Sequence, residues 1–340
     1  MGGQYYYLGC LFERVVDMSS ASILVTGGSG FLGGALIRYL NSVKQLSLTA
    51  TVRDLDTVLP PSVRLLPLEN LDGSADWQHA LIDIDIVVHA AARVHIMKES
   101  AADPLSEFRA VNVNGTLNLA RQAAAAGVKR FIFISSIKVN GEFTQPGEAF
   151  TADDSPAPID PYGISKFEAE QGLREIAAVT SMDVVIIRPV LIYGAGVKAN
   201  FLNMIRWLDK GIPLPFGAIY NSRSLVALDN LIDFIFVCLE HPGAANQTFL
   251  VSDGEDVSTS ELLFKIGRAL GKPARLLPIP SWALQSAVVM IGKASLGHRL
   301  LGSLQVDISK NARLLNWTPP VKMDDALRTT VQYFLEHHKA

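Results

Sequence analysis

The stretch SILVTGGSGFLGGALIRYL, residues 22–40, constrains this chain more than any other. It opens with a short run of β-branched residues and leucine, passes through a cluster of glycines, and continues with apolar residues at Phe31, Leu32, Ala35, Leu36, Tyr39 and Leu40. A buried-strand pattern giving way to a helical period marks a strand–turn–helix unit. Gly27, Gly30 and Gly33 are spaced G-x-x-G-x-x-G, while Gly28, Gly30 and Gly33 also satisfy G-x-G-x-x-G. Glycine suits such a turn because the backbone angles are unusual and because a pyrophosphate must approach main-chain N–H groups at a helix N-terminus. A lone match is weak evidence. Between a strand and an amphipathic helix it is strong, and it points to Gly27, Gly30, Phe31, Leu32 and Gly33 as the cradle of a dinucleotide.

Further units follow in the same rhythm. Residues 63–68 read as a strand, 75–82 as a helix and 85–92 (DIVVHAAA) as a buried strand. A long helix follows around 105–126, closed by Gly127, and then KRFIFISS as the next strand. Strands alternating with helices imply an α/β fold with a doubly wound parallel sheet, whose ligands sit at the carboxyl ends of the strands. After residue 190, glycine and proline become denser and the alternation breaks up. The expected division is a leader or tail at 1–20, a nucleotide-binding domain at 21–190, and a smaller α/β substrate lobe at 191–340, parts of which can return to the first domain.

Composition narrows the function. The chain of 340 residues carries a formal net charge of -3 with 19% charged residues, which argues against general nucleic-acid binding and for small-molecule chemistry. Cys10 and Cys238 show neither metal nor disulfide spacing, so a reducing, cytoplasmic setting is expected. The first twenty residues lack a basic front and a small-residue cleavage site, and the SSASILVTGG that follows Met18 suggests that translation begins there. The apolar run 282–292 is well short of the ~20 residues that cross a bilayer. It reads as a buried helix, with peripheral membrane contact as the minor alternative.

Ser135 and Ser136 close the fifth strand, and 26 residues after Ser136 comes YGISK, with Tyr162 and Lys166 four apart. On a helix that spacing puts phenol and ammonium on one face. A tyrosine near pKa 10 is a poor base at neutral pH, and a neighbouring cation lowers that value. The pair can then exchange a proton with a sugar hydroxyl, with Ser136 bonded to the same oxygen.

The segments TGGSGFLG, VVHAAA, NVNGT, FISS, Y-x-x-x-K and IIRPVLIYG, in this order, resemble the extended short-chain dehydrogenase/reductases, the nucleotide-sugar epimerase and dehydratase group, from about Ser22 to the C-terminus. The resemblance implies a Rossmann fold binding NAD or NADP and a triad of Ser136, Tyr162 and Lys166, with Tyr162 and Lys166 also touching the cofactor. It implies that Ala90 and Ala91 line the cofactor, that Asn200 and Arg223 contact the diphosphate of a UDP-sugar, and that the protein is a homodimer. SSIKVNGE and VVHAAARVHIM look most like a bacterial surface-polysaccharide branch holding 4-ketosugar reductases and UDP-glucose 4-epimerases. Asn140 departs from the pattern, standing where the family usually has tyrosine, which puts the shape of the sugar pocket in question.

Cofactor choice turns on TATVRDLD, residues 49–56. An acid about 20 residues past the glycine loop accepts from the adenosine ribose of NAD, whereas an arginine there accommodates the 2′-phosphate of NADP. Counted from Gly33, Arg53 is 20 residues on and Asp54 is 21. A strand ending at Val52 would give Arg53 the deciding place, so NADP(H) is favoured over NAD(H). The resulting expectation is hydride transfer at C4 of a UDP-sugar, first as a UDP-4-keto-6-deoxy-N-acetylhexosamine 4-reductase. A UDP-glucose or UDP-N-acetylglucosamine 4-epimerase is the alternative, and a non-catalytic NADP-sensing regulator the alternative of another class.

Other chemistry-bearing residues read as structural. His89 and His95 have no acidic or cysteine partner at ligand spacing, so no metal is expected. Asp153 and Asp154 sit in a proline-rich loop that they cap or solvate, and the Trp207 and Trp282 regions read as packing. Lys138 is balanced between substrate phosphate and solvent, and Asn112 between a water relay and a backbone-bonded polar residue.

Overall fold

The computed structural model describes residues 20–43, 46–54, 56–68, 70–94, 103–145, 147–290 and 301–338, with the side chains of 287–290 excepted. The leader, the proposed start at Met18, and His95 lie outside them.

Ten strands and ten α-helices are described. Strands β1 (Ser22–Thr26), β2 (Ser47–Val52), β3 (Arg64–Pro67), β4 (Ile86–His89), β5 (Arg130–Ile134), β6 (Asp183–Pro189) and β9 (Thr248–Val251) form one sheet in the order β3-β2-β1-β4-β5-β6-β9. Every pairing in it is parallel. Strand order reverses beside β1, which opens a crevice between the carboxyl ends of β1 and β4. Period-2 geometry sends Ile23 and Val25 to one face and Leu24 to the other, all with no exposed surface. On the first face they meet Leu36 and Leu40 of α1 (Phe31–Ser42), and Phe234 and Ile235 of α6 (Leu228–Glu240). On the second, Leu24, Phe131 and Phe133 pack with Trp77, Leu119 of α3 (Thr116–Ala125) and Leu173 of α4 (Pro161–Val179).

The seventh strand and α6 come from beyond residue 190 and join this main layer. A smaller sheet, β10-β8-β7, pairs β7 (Leu191–Tyr193) parallel and β10 (Asp256–Val257) antiparallel with β8 (Arg223–Ala227). It packs with α5 (Ala199–Asp209), α7 (Thr259–Ala269) and α10 (Met323–His338) around Tyr193, Phe201, Ile205, Leu263 and Val331. Between α7 and α10 lie α8 (Ser281–Met290) and α9 (Ser309–Leu315).

Three sequence expectations are corrected. Of the helix expected over 75–82, only the 3-10 turn Gln78–Ala80 forms, because the Asp76 carboxylate caps the Gln78 N–H at 2.9 Å and the left-handed Asp83 (φ 56°) stops the chain. The helix around 105–126 is broken into α2 (Pro104–Phe108), a π-turn at Arg109–Gly115, and α3. The widened turn coincides with a close approach, since a Cβ on Gly115 would lie 1.7 Å from the Leu71 carbonyl oxygen. Trp207 and Trp282 are 42% and 72% exposed and do not pack in the core, and none of the side chains of 281–286 is buried. An evenly apolar segment has no polar face by which its sequence could orient it. No helix among the described residues is long and apolar enough to cross a membrane.

Candidate active site

The glycine turn is built as its spacing requires. Gly27 takes φ +75°, and a Cβ there would sit 3.0 Å from the Ala91 backbone, so the ends of β1 and β4 close to contact. A Cβ on Gly33 would lie 2.2 Å from the Gly27 carbonyl oxygen, so only hydrogen fits. Gly30 is the N-cap of α1 and no side chain caps that helix. The N–H groups of Phe31, Leu32 and Gly33 therefore open on the crevice with the positive end of the helix dipole. This cradle fits a dinucleotide pyrophosphate. Ala90 and Ala91 form its far wall, where the Ala91 N–H donates to Thr26 Oγ1 at 3.2 Å.

Strand β2 ends at Val52, and the Gly28 N–H donates to the Thr51 carbonyl at 2.9 Å, which brings the following loop against the glycine turn. Arg53 and Asp54 are both exposed. The Asp54 carboxylate is turned into its own loop, accepting from the Asp56 N–H at 2.9 Å.

Helix α4 carries the second group. Asp160 caps it, accepting from the Gly163 N–H at 2.7 Å, and Pro161 occupies its first turn. Lys138 pairs with Asp160 and, at 3.2 Å, with Glu142, so this lysine anchors the start of the helix. Ser136, two residues beyond β5, caps the 3-10 turn that follows and stands near enough to the Tyr162 phenol to act on it. Burial pushes the phenol above its ordinary range, the Asp160 charge adds to this, and Ser136 opposes it. Lys166 is 1% exposed; its Nζ donates to the Ile134 carbonyl at 2.8 Å and lies 4.3 Å from the centre of the Phe133 ring. Burial pushes its pKa down to about 7, against the raising influence of Glu170. The expected lowering of Tyr162 by Lys166 is thus not found, because the ammonium is turned to the end of β5.

The remaining residues sort by their partners. His89 is buried between Thr26 Oγ1 at 2.7 Å and Thr116 Oγ1 at 3.0 Å, and burial, with Lys166 adding, pushes its pKa down to about 3, so it is a neutral core residue. Asn112 accepts from the Arg93 N–H at 2.9 Å and donates to the Arg93 carbonyl and Ser165 Oγ, the backbone-bonded reading. Asp154 caps its loop through Thr151, and Asp153 pairs with Lys310 at 2.6 Å. Arg223, half-buried at the start of β8, donates to the Gly302 carbonyl at 2.9 Å. It has no carboxylate partner among the described residues, and burial holds its pKa below the usual arginine value. Such a cation suits an anionic ligand. Asn200 is exposed on the first turn of α5.

Asn140 is a buried link between two segments. It is 2% exposed, accepts from Arg188 Nη1 at 2.8 Å, and donates to the Thr151 carbonyl at 2.9 Å. Arg188 in turn grips Glu170 with Nε at 2.9 Å and Nη2 at 2.6 Å. Sequence reasoning passed over this buried pair, although Glu170 stands one helical turn from Lys166.

Comparison with known proteins agrees with this geometry. A model of the NAD dependent epimerase/dehydratase family matches residues 23–252. A Vibrio cholerae protein described as UDP-glucose 4-epimerase is 48% identical over 316 residues, covering 93% of this chain and 96% of its own. An Escherichia coli O157:H7 protein, described as N-acetyl-alpha-D-glucosaminyl-diphospho-ditrans,octacis-undecaprenol 4-epimerase, is 26% identical over 94% of this chain and 96% of its own. The solved UDP-glucose 4-epimerase of Thermotoga maritima with UDP-glucose shares the fold at a TM-score of 0.75, with 21% identity over 93% of this chain and 99% of that one. With its glycine cradle, seven-stranded parallel sheet and strand-end serine, tyrosine and lysine, the chain belongs to the NAD dependent epimerase/dehydratase family.

Proposed function

We propose that this protein is a UDP-hexose 4-epimerase working with a tightly held nicotinamide dinucleotide. The observation that carries this reading is the 48% identity, across nearly the whole of both chains, to the Vibrio cholerae UDP-glucose 4-epimerase. The bound nicotinamide would accept and return a hydride at C4. Tyr162 takes the proton of the C4 hydroxyl and later returns one to the same oxygen, and Ser136 bonds that oxygen. Lys166 supplies the positive charge beside them. Phe31, Leu32 and Gly33 offer N–H groups to the cofactor pyrophosphate, and Arg223, with no carboxylate partner among the described residues, offers its guanidinium to the diphosphate of UDP.

A 4-epimerase oxidises and re-reduces one carbon, so the purified protein should retain stoichiometric NAD and interconvert UDP-glucose and UDP-galactose without net absorbance change at the reduced-cofactor band. Failure to interconvert any UDP-hexose pair sinks the reading. Arg223→Met is expected to weaken UDP binding by about 30-fold in calorimetry, the equivalent of about 2 kcal/mol for a lost charged hydrogen bond.

The second reading, the NADPH-dependent 4-ketosugar reductase, is favoured by one observation: Arg53 follows the strand end exposed, while the Asp54 carboxylate is turned into its own loop. Its mark would be consumption of NADPH with a UDP-4-keto sugar, with a preference over NADH that Arg53→Ser abolishes.

A further inference from the structure

Behind the strand-end triad lies a buried ionic network with no part in the chemistry so far. Glu170 has no exposed surface and Arg188 is 1% exposed. Three side chains hold the Glu170 carboxylate with four hydrogen bonds: Ser135 Oγ at 2.6 Å, Arg188 through Nε and Nη2, and Arg174 at 3.1 Å. One of its anchors sits at the end of β5. Ser135 precedes Ser136, and the Ile134 carbonyl just before it receives Lys166 Nζ. Asn140 extends the network to the loop at Thr151, which accounts for the asparagine that departs from the family pattern.

Burying a charge pair is expensive, and similar apolar side chains often stabilise as well or better, so its position calls for a reason. Facing Lys166 are neutral His89 of β4 and the Phe133 ring and Ile134 carbonyl of β5, while Tyr162 stands one helical turn before it in α4 and Glu170 one turn after. Arg188 of β6 stands behind Glu170, while Arg109 of the π-turn pairs outward with Glu168 at the surface. Glu170 is therefore the one carboxylate that acts on Lys166 among these groups.

We propose that Glu170, locked by Ser135 and Arg188, is a positioning residue that keeps the Lys166 ammonium charged and docked at the end of β5 beside Ser136. The inference rests on the role given to Lys166 above, yet it makes a claim about the protein alone. Removing the carboxylate charge takes away the acidic group that acts on Lys166 and disfavours its charged form; removing Arg188 leaves the Glu170 charge less compensated, so that it acts on Lys166 more strongly.

The test compares wild type, Glu170→Gln, Arg188→Gln and the double variant, reading the pH dependence of urea unfolding and of kcat. Lys166 has a folded pKa near 7 and an ordinary unfolded value of 10.5, so between them the unfolded chain binds more protons and stability rises with pH. Glu170→Gln should extend this rising segment below pH 7, by about one unit, and Arg188→Gln should delay it. The difference should vanish in a Lys166→Met background. The basic limb of the kcat profile should move the same way, down in Glu170→Gln and up in Arg188→Gln, whereas a merely structural pair would scale kcat at every pH. If the single variants do not fold, the double variant removes both charges of the Glu170–Arg188 pair together and should still show a limb below that of wild type. Unmoved limbs and unfolding slopes would overturn the proposal. An inactive wild type with the expected unfolding slopes would instead overturn the assigned reaction and leave the Glu170–Lys166 coupling standing.

Discussion

Tyr162→Phe is expected to lower kcat about 1,000-fold, the middle of the range for loss of a positioned proton-transfer group. The change removes one oxygen and leaves the ring in place, so its edge-to-face contact with Phe108, at 6.0 Å between centroids, persists and the fold should be retained. The group that acts on the hydroxyl from the end of β5 is Ser136. Because the phenol holds its proton well above the ordinary range, it is already in the state that delivers a proton to a 4-keto oxygen. In the opposite direction it must give that state up, and only a cation beside it eases this. A fall in kcat with unchanged cofactor content and a KM within a few-fold would place the lost interaction in the transition state. A variant within threefold of wild type would remove Tyr162 from the chemistry.

Gly33→Ala is expected to strip the protein of its dinucleotide. The new Cβ would stand 2.2 Å from the Gly27 carbonyl oxygen, which belongs to rigid backbone rather than to a side chain that can turn aside. Helix α1 must then back away from β1, and both the N–H array and the Gly30–Gly27 hydrogen bond at 2.8 Å are disturbed. Overpacking of this kind costs about 3 kcal/mol at the upper end of its usual range, which corresponds to roughly 100-fold in cofactor affinity if the strain falls on the turn. Nucleotide content after purification and fluorescence titration of the stripped protein measure it. Retention at the wild-type level would mean that the turn is not the pyrophosphate cradle. Gly127, where nothing lies within 4 Å of a built Cβ, is the contrasting position: alanine there meets only the strain of φ +84°.

Much of the fold was legible because periodic burial is a local property. The run of Ile23, Leu24 and Val25, the glycine spacing, the closing serines of β5 and the Asp160-Pro161 start of α4 each carry their instruction within a few residues. Where the local signal was weak the reading failed. Residues 75–82 have helical spacing but too little length, and Trp282 begins a stretch with no polar side.

The placement of Tyr162 and Lys166 on one helix, too, was legible, since an i,i+4 pair is written in the sequence. What the sequence could not decide was where Lys166 points. Its ammonium has several partners within reach, and the choice falls to the Ile134 carbonyl and the Phe133 ring, supplied by a strand more than thirty residues away. The same holds for Asn140, which as a letter marked a changed sugar pocket and in space is a link between Arg188 and Thr151. Sequence alone determined the layered fold and the glycine turn and singled out Tyr162 as the proton-transfer group proposed here, because each depends on backbone geometry and short-range spacing. Only the tertiary structure decided which charges act on that group, because electrostatic coupling depends on distance and burial between segments brought together by the sheet.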